Sequence, residues 1–135
     1  MITNASSGTN LHQIAPALYR INTPIRITDG PDFNFNQYLV ADDEPLLFHT
    51  GPKRMFPLVA EAIGKLLPIE KLRYVAFSHF EADECGSLND FLAAAPGAVA
   101  VASQVAVMVS VADVAIRTSR SWARVMFARS SATCA

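Results

Sequence analysis

Apolar positions recur at two different periods along this chain. Before about residue 50 they fall in short alternating runs, and after it they fall at helical spacing between further short apolar runs. Asn34 to Ala41 is the clearest of the first kind, with Phe35, Gln37 and Leu39 on one face and Asn36, Tyr38 and Val40 on the other. That alternation predicts a half-buried strand. Leu18 to Ile21, Pro24 to Thr28 and Leu46 to His49 read as shorter strands. Asp29-Gly30-Pro31-Asp32 and Asp42-Asp43-Glu44-Pro45 are turns between them, short enough for neighbouring strands to pair antiparallel.

After Thr50-Gly51-Pro52 the residues Met55, Phe56, Val59, Ala62, Ile63, Leu66 and Leu67 form one helical stripe, with Glu61 and Lys65 four apart on the other side. Pro57 is tolerated only in a first turn, and Pro68 ends the helix. Ile69 to Leu72 reads as one short turn. Arg73 to Ser78 is rich in β-branched and aromatic residues and reads as a buried strand. A helix from Ser87 to Ala95 follows, carrying Leu88, Phe91 and Leu92 and ending at Pro96-Gly97. Ala98 to Ala102 predicts another strand, and Ser103 is placed to cap a helix with Val105, Met108, Val109 and Ala112 on one face. Antiparallel strands followed by helix–strand units define an α/β chain.

The two ends carry weaker patterns. Residues 1–15 are small and polar and read as a loosely held N-terminal arm, in which His12 is a surface residue. The first 113 residues hold 7 Lys plus Arg against 12 Asp plus Glu, whereas Val114 to Ala135 holds four Arg, many Ser and Ala, and no acid. One reading is a basic docking tail. Another is a helix from Ser119 to Arg129 that sets Trp122, Val125 and Met126 against an exposed sheet. The abrupt change of composition favours a third: a truncated or frame-shifted end that does not continue the fold.

The chemistry concentrates where the Arg73–Ser78 strand gives way to a helix. His79, Glu81, Asp83 and Glu84 fall within six residues, at the carboxyl end of the strand, the edge where α/β sheets collect ligands. Imidazole with carboxylates is a hard donor set suited to iron, manganese or zinc; several carboxylates without a thiolate favour a redox-capable ion such as iron. The bland alternative is a solvated acidic loop containing a histidine. His49 ends a strand and can face the same edge, though a role that is structural or that supports the ligands from behind is favoured for it. Cys85 stands near a helix start that could lower its pKa, but it lacks a base partner and reads as a packing residue.

The run Tyr74-Val-Ala-Phe-Ser-His79-Phe-Glu81-Ala-Asp83-Glu84-Cys-Gly86-Ser-Leu88 resembles the metallo-β-lactamase superfamily, and within it the oxygen-binding di-iron branch that includes the flavodiiron proteins. The superfamily pattern is His-x-His-x-Asp-His, and the di-iron branch places Glu second, as Glu81 does here. The likeness runs from about Leu18 to about Ile116. It implies a metallo-β-lactamase-like αββα sandwich over residues 16–116, present as its N-terminal half, with 117–135 a basic tail. It also implies that His79 and Glu81 bind one iron and Asp83 the second. Glu84 stands where the family commonly has histidine. The family's bridging carboxylate and further histidines belong to its second half.

At 135 residues and 51% hydrophobic content the chain has material for one ordinary core. A net charge of −1 leaves no electrostatic footprint for nucleic acid. Ala98 to Ala112 is too short and polar to span a membrane. Two cysteines make no disulfide framework and suit a reducing cytoplasm, and no signal peptide is evident. Three functions compete. The first is a non-haem iron redox protein that binds or reduces dioxygen or nitric oxide, fed by an electron-donor protein. The second is a metal-dependent hydrolase in which Asp83 orients or deprotonates a metal-bound water. The third is a non-catalytic partial domain, whose uncovered sheet would drive homo-oligomerisation.

Overall fold

The computed structural model describes residues 1–125. They form one eight-stranded sheet whose spatial order follows the chain order: β1 (Ile2–Asn4), β2 (Thr9–Ala15), β3 (Leu18–Ile25), β4 (Phe33–Val40), β5 (Leu46–Phe48), β6 (Tyr74–Ala76), β7 (Val99–Ala102) and β8 (Arg120–Ser121). β1 to β5 pair antiparallel and β5 to β8 pair parallel. The change of pairing falls where the sequence changes period, because a parallel neighbour requires a crossover long enough to hold a helix.

Two expectations for the first part are corrected. Residues 1–15 are not a loose arm, since they supply β1 and β2. Polar side chains hold them. Thr9 Oγ1 and Thr23 Oγ1 are 2.9 Å apart, and Asn10 donates to Asn22, which donates in turn to Asn36 at 3.0 Å. The predicted strands Leu18 to Ile21 and Pro24 to Thr28 are one strand, β3. Pro24 stands opposite Asn34 of β4, but beyond Asn22 the other side of β3 carries no pairing with β2, so a proline nitrogen facing that side leaves no ladder bond unmade.

The crossovers carry α1 (Phe56–Gly64), then α2 (Ala82–Cys85) and α3 (Leu88–Ala94), then α4 (Gln104–Ala106), a π-helical turn (Val107–Val111) and α5 (Ala112–Val114). Val59, Ala62 and Ile63 of α1 and Leu88, Phe91 and Leu92 of α3 pack with Ile21, Leu39, Leu47, Val75 and Phe77 in one core on one face of the sheet. Ser103 caps the segment after β7 as expected, its Oγ accepting from Ala106 N at 3.1 Å. The buried face of that segment is not the predicted one. Val105, Met108 and Val109 are 71–73% exposed, and Val111 is buried in their place.

The opposite face of the sheet holds a second cluster, in which Tyr74, Ala76, Val101 and Val125 are buried with Phe48 and Trp122 against them. The segment after residue 114 thus supplies an edge strand, β8, and a residue that covers the sheet. Within the described residues this favours the covering account of the tail over a segment outside the fold. Met126, Phe127, Arg129 and Cys134 lie outside the described residues. The architecture is a mixed sheet whose crossover helices α1 and α3 lie on one face, with the helical residues 122–125 on the other.

Candidate metal centre

β5 and β6 are parallel neighbours in register, Phe48 beside Ala76, so their carboxyl ends lie side by side. His49 directly follows β5, and Phe77, Ser78 and His79 follow β6. The His49 amide donates to Ala76 O at 2.7 Å, and the ring of His49 stacks on Phe48 at 4.2 Å. His49 has φ 63° and Gly51 φ 77°. A left-handed backbone is uncommon for a residue with a Cβ and is held only where surrounding contacts fix it.

Buried hydroxyls supply such contacts. Thr50 N donates to Glu84 O at 2.7 Å, Ser87 N donates to Thr50 Oγ1 at 3.1 Å, and Ser87 Oγ donates to Pro52 O at 2.8 Å. The loop after β5 is thereby fastened to the turn after β6. Gly86 lies at the tightest approach, where an added Cβ would stand 3.0 Å from the backbone of both Lys53 and Pro52.

One hydrogen-bonded group occupies this edge. Glu84 Oε2 accepts from His79 N at 2.6 Å and from Ser78 Oγ at 3.0 Å, and lies 3.6 Å from His49 Nε2. Glu84 Oε1 lies 3.5 Å from His79 Nδ1. Ser78 Oγ is also 3.0 Å from His49 Nε2 and 3.3 Å from His79 Nδ1. Of the four residues singled out in the sequence, the structure joins His79 and Glu84. Glu81 and Asp83 are exposed and stand outside this group. Glu81 turns its backbone carbonyl to the fold, accepting from Cys85 N at 2.9 Å and from the Cys85 thiol at 3.2 Å. One member, Ser78, was not picked out in the sequence reading; His49 was, as a strand-end residue able to face this edge in a structural or ligand-supporting role. His49 at a strand end before Gly-Pro was the available signal.

The electrostatics follow from these contacts. Burial would raise the pKa of Glu84, but the His79 amide, the Ser78 hydroxyl and the His49 charge outweigh it and hold the carboxyl below its usual value. Burial lowers the pKa of His49 more than the charges of Glu84 and Asp83 raise it. The Cys85 thiol is pushed up to about 11, chiefly by burial. A helix start does not activate it, and it is a packing residue.

The donor chemistry suits a hard ion such as iron, but the arrangement does not assemble a site. The Glu84 carboxylate is engaged by its own turn, and among the described residues no three His, Cys, Asp or Glu side chains converge to hold a metal. The described residues by themselves therefore do not fit an iron centre.

Comparison with known proteins identifies the lineage. The model of the ODP family beta lactamases matches residues 33–127, and the chain belongs to that family. The match continues beyond Ile116, where the sequence reading ended the likeness. Over 72 residues the chain is 31% identical to "Putative diflavin flavoprotein A 2" of Nostoc sp., spanning 53% of this chain and 12% of that protein. It superposes on rubredoxin oxygen:oxidoreductase from Desulfovibrio gigas with TM-score 0.69 and 18% identity, over 83% of this chain and 30% of that one. The Flv1 flavodiiron core from Synechocystis sp. gives TM-score 0.65 and 20% identity, over 84% and 30%. The chain thus spans less than a third of the length of each of these proteins. The structural matches bear out a metallo-β-lactamase-like fold shared with flavodiiron proteins, in its N-terminal portion. No helix among the described residues is long and apolar enough to cross a membrane.

Proposed function

We propose that this chain is the first, ligand-bearing part of a non-haem iron redox domain that binds or reduces dioxygen or nitric oxide. The observation that carries the reading is His79-x-Glu81-x-Asp83 at the carboxyl edge of β6, in a chain whose family match spans that edge. In this reading His79, Glu81 and Asp83 are donors from one side, and the remaining ligands come from the part of the fold that the chain does not span. Electrons come from a separate donor protein, and the setting is the cytoplasm. Glu84 is left out of the ligand set in this reading because its Oε2 already accepts from both His79 N and Ser78 Oγ.

Anaerobic titration of the purified chain with Fe(II), with metal content read after desalting, tests this proposal. Weak, substoichiometric iron that is lost in Glu81→Ala and kept in Glu84→Gln is the expected result. About one tightly held equivalent of zinc, with no reaction toward oxygen or nitric oxide, would overturn it. Ester or lactam turnover abolished by Asp83→Asn would transfer the case to a hydrolase.

A further inference from the structure

A cavity of about 710 Å³ lies between the β1–β2 turn, the end of β3 and the first residues of α1, within the usual size range of small-molecule sites. Its own packing and hydrogen bonds hold its walls. Gly8 has φ 74°, and an added Cβ there would stand 3.0 Å from Pro24 Cγ, so the turn presses directly on β3. Ser7 Oγ donates to Asn4 Oδ1 at 3.0 Å and lies 2.7 Å from Thr9 Oγ1, which lies 2.9 Å from Thr23 Oγ1. Ile25, Met55 and Leu58 give the cavity an apolar lining, and Arg26 and Arg54 border it. Both arginines are exposed, and neither has an ion-pair partner among the described residues. Lys53, next in sequence to Arg54, turns instead to Asp90 at 3.7 Å. The first 113 residues hold 7 Lys plus Arg against 12 Asp plus Glu, so two uncompensated cations on one cavity reverse the local sign of charge.

We propose that this cavity binds a small organic anion, with a carboxylate or phosphate head between Arg26 and Arg54 and an apolar body against Met55 and Leu58. A guanidinium offers planar pairs of N–H donors that match either head group. The apolar body displaces water from the lining, which strengthens the attraction at the head. None of the lining residues belongs to the His49–Ser78–Glu84 group, so binding here needs no metal at that edge.

The test is NMR titration of the full-length chain with hexanoate, hexyl phosphate, inorganic phosphate and hexanol at constant ionic strength, following the Met55 methyl and the arginine Nε–H signals. Hexanoate or hexyl phosphate should shift these signals to saturation, and the tighter of the two identifies the head group. Arg26→Gln and Arg54→Gln should each weaken that binding about tenfold or more, the worth of one charge-assisted hydrogen bond. Lys53→Gln removes the same charge one residue from Arg54 and should change it by no more than about twofold, the screened effect of a distant charge. Both arginines are exposed, so their variants keep the fold, which the amide spectrum verifies. An equal loss in Lys53→Gln would reduce the effect to general electrostatics and overturn the site. Hexanol binding as tightly as the hexyl anions would overturn the role of the arginines. Inorganic phosphate binding as tightly as hexyl phosphate would overturn the apolar body. Failure of both hexyl anions to saturate the signals at millimolar concentration would overturn the proposal outright.

Discussion

Val125 gives the sharpest test of whether the last part of the described chain belongs to the fold. It is 6% exposed and packs against Tyr74, Ala76 and Val101 on the face of the sheet opposite α1 and α3. Val125→Ala removes two methyl groups from that contact, ~0.8 kcal/mol each in transfer terms. Incomplete collapse of the space brings the loss to about 2 kcal/mol. For a chain of this size that lowers the Tm by roughly 6–8 °C. Val109→Ala is the control, because Val109 is 73% exposed and its truncation should change stability by no more than about 0.5 kcal/mol. Both variants would be measured by thermal melts and urea titration, with the m-value checked for constancy. If Val125→Ala and Val109→Ala are indistinguishable, Val125 is not part of the core, and the tail returns to being a segment outside the fold.

Three further outcomes are expected. Gly86→Ala would set a Cβ against the Ala82 carbonyl oxygen and 3.0 Å from the backbone of Lys53 and Pro52. Since backbone cannot swing aside, urea titration should show a loss of about 3 kcal/mol, and a change within the error of the titration would contradict the packing. Acid should weaken the fold in two windows. Unfolded His49 takes a proton near 6.5 while the folded form resists it, so stability falls as pH drops below that value; Glu84 adds a second loss as pH falls below 4.5 through its lowered pKa. Urea midpoints across this range should lose the upper step in His49→Gln. Finally, in a Cys134→Ser background the Cys85 thiol, raised from 9.0 to about 11, should react with iodoacetamide roughly a hundredfold more slowly than in the denatured chain. Equal rates would show that Cys85 is not buried.

Local rules settled much of this protein before any tertiary contact was considered. The alternation in β4 places Gln37 and Leu39 inward, and both are buried. Pro57 and Pro68 bracket α1, and the break in period at Ser78 puts His79 on a strand-to-helix turn at a sheet edge. Each depends on a few adjacent residues, through steric limits on φ or a simple period. Tertiary structure decided the rest. Residues 104–114 are apolar on every side, so no period could select Val111 over Val105, Met108 and Val109; only the position of the sheet did. β1 and β2 lacked an apolar signal because Thr9 and Asn10 are held by Thr23 and Asn22, partners that pairing alone supplies. The candidate site was half legible for the same reason. His79 and Glu84 stand five residues apart on one turn, whereas His49 joins them from 29 residues before Ser78. That meeting requires β5 and β6 to lie parallel and in register, and a parallel pairing across a helical crossover is a property of the folded sheet, with no trace in the spacing of the residues it brings together.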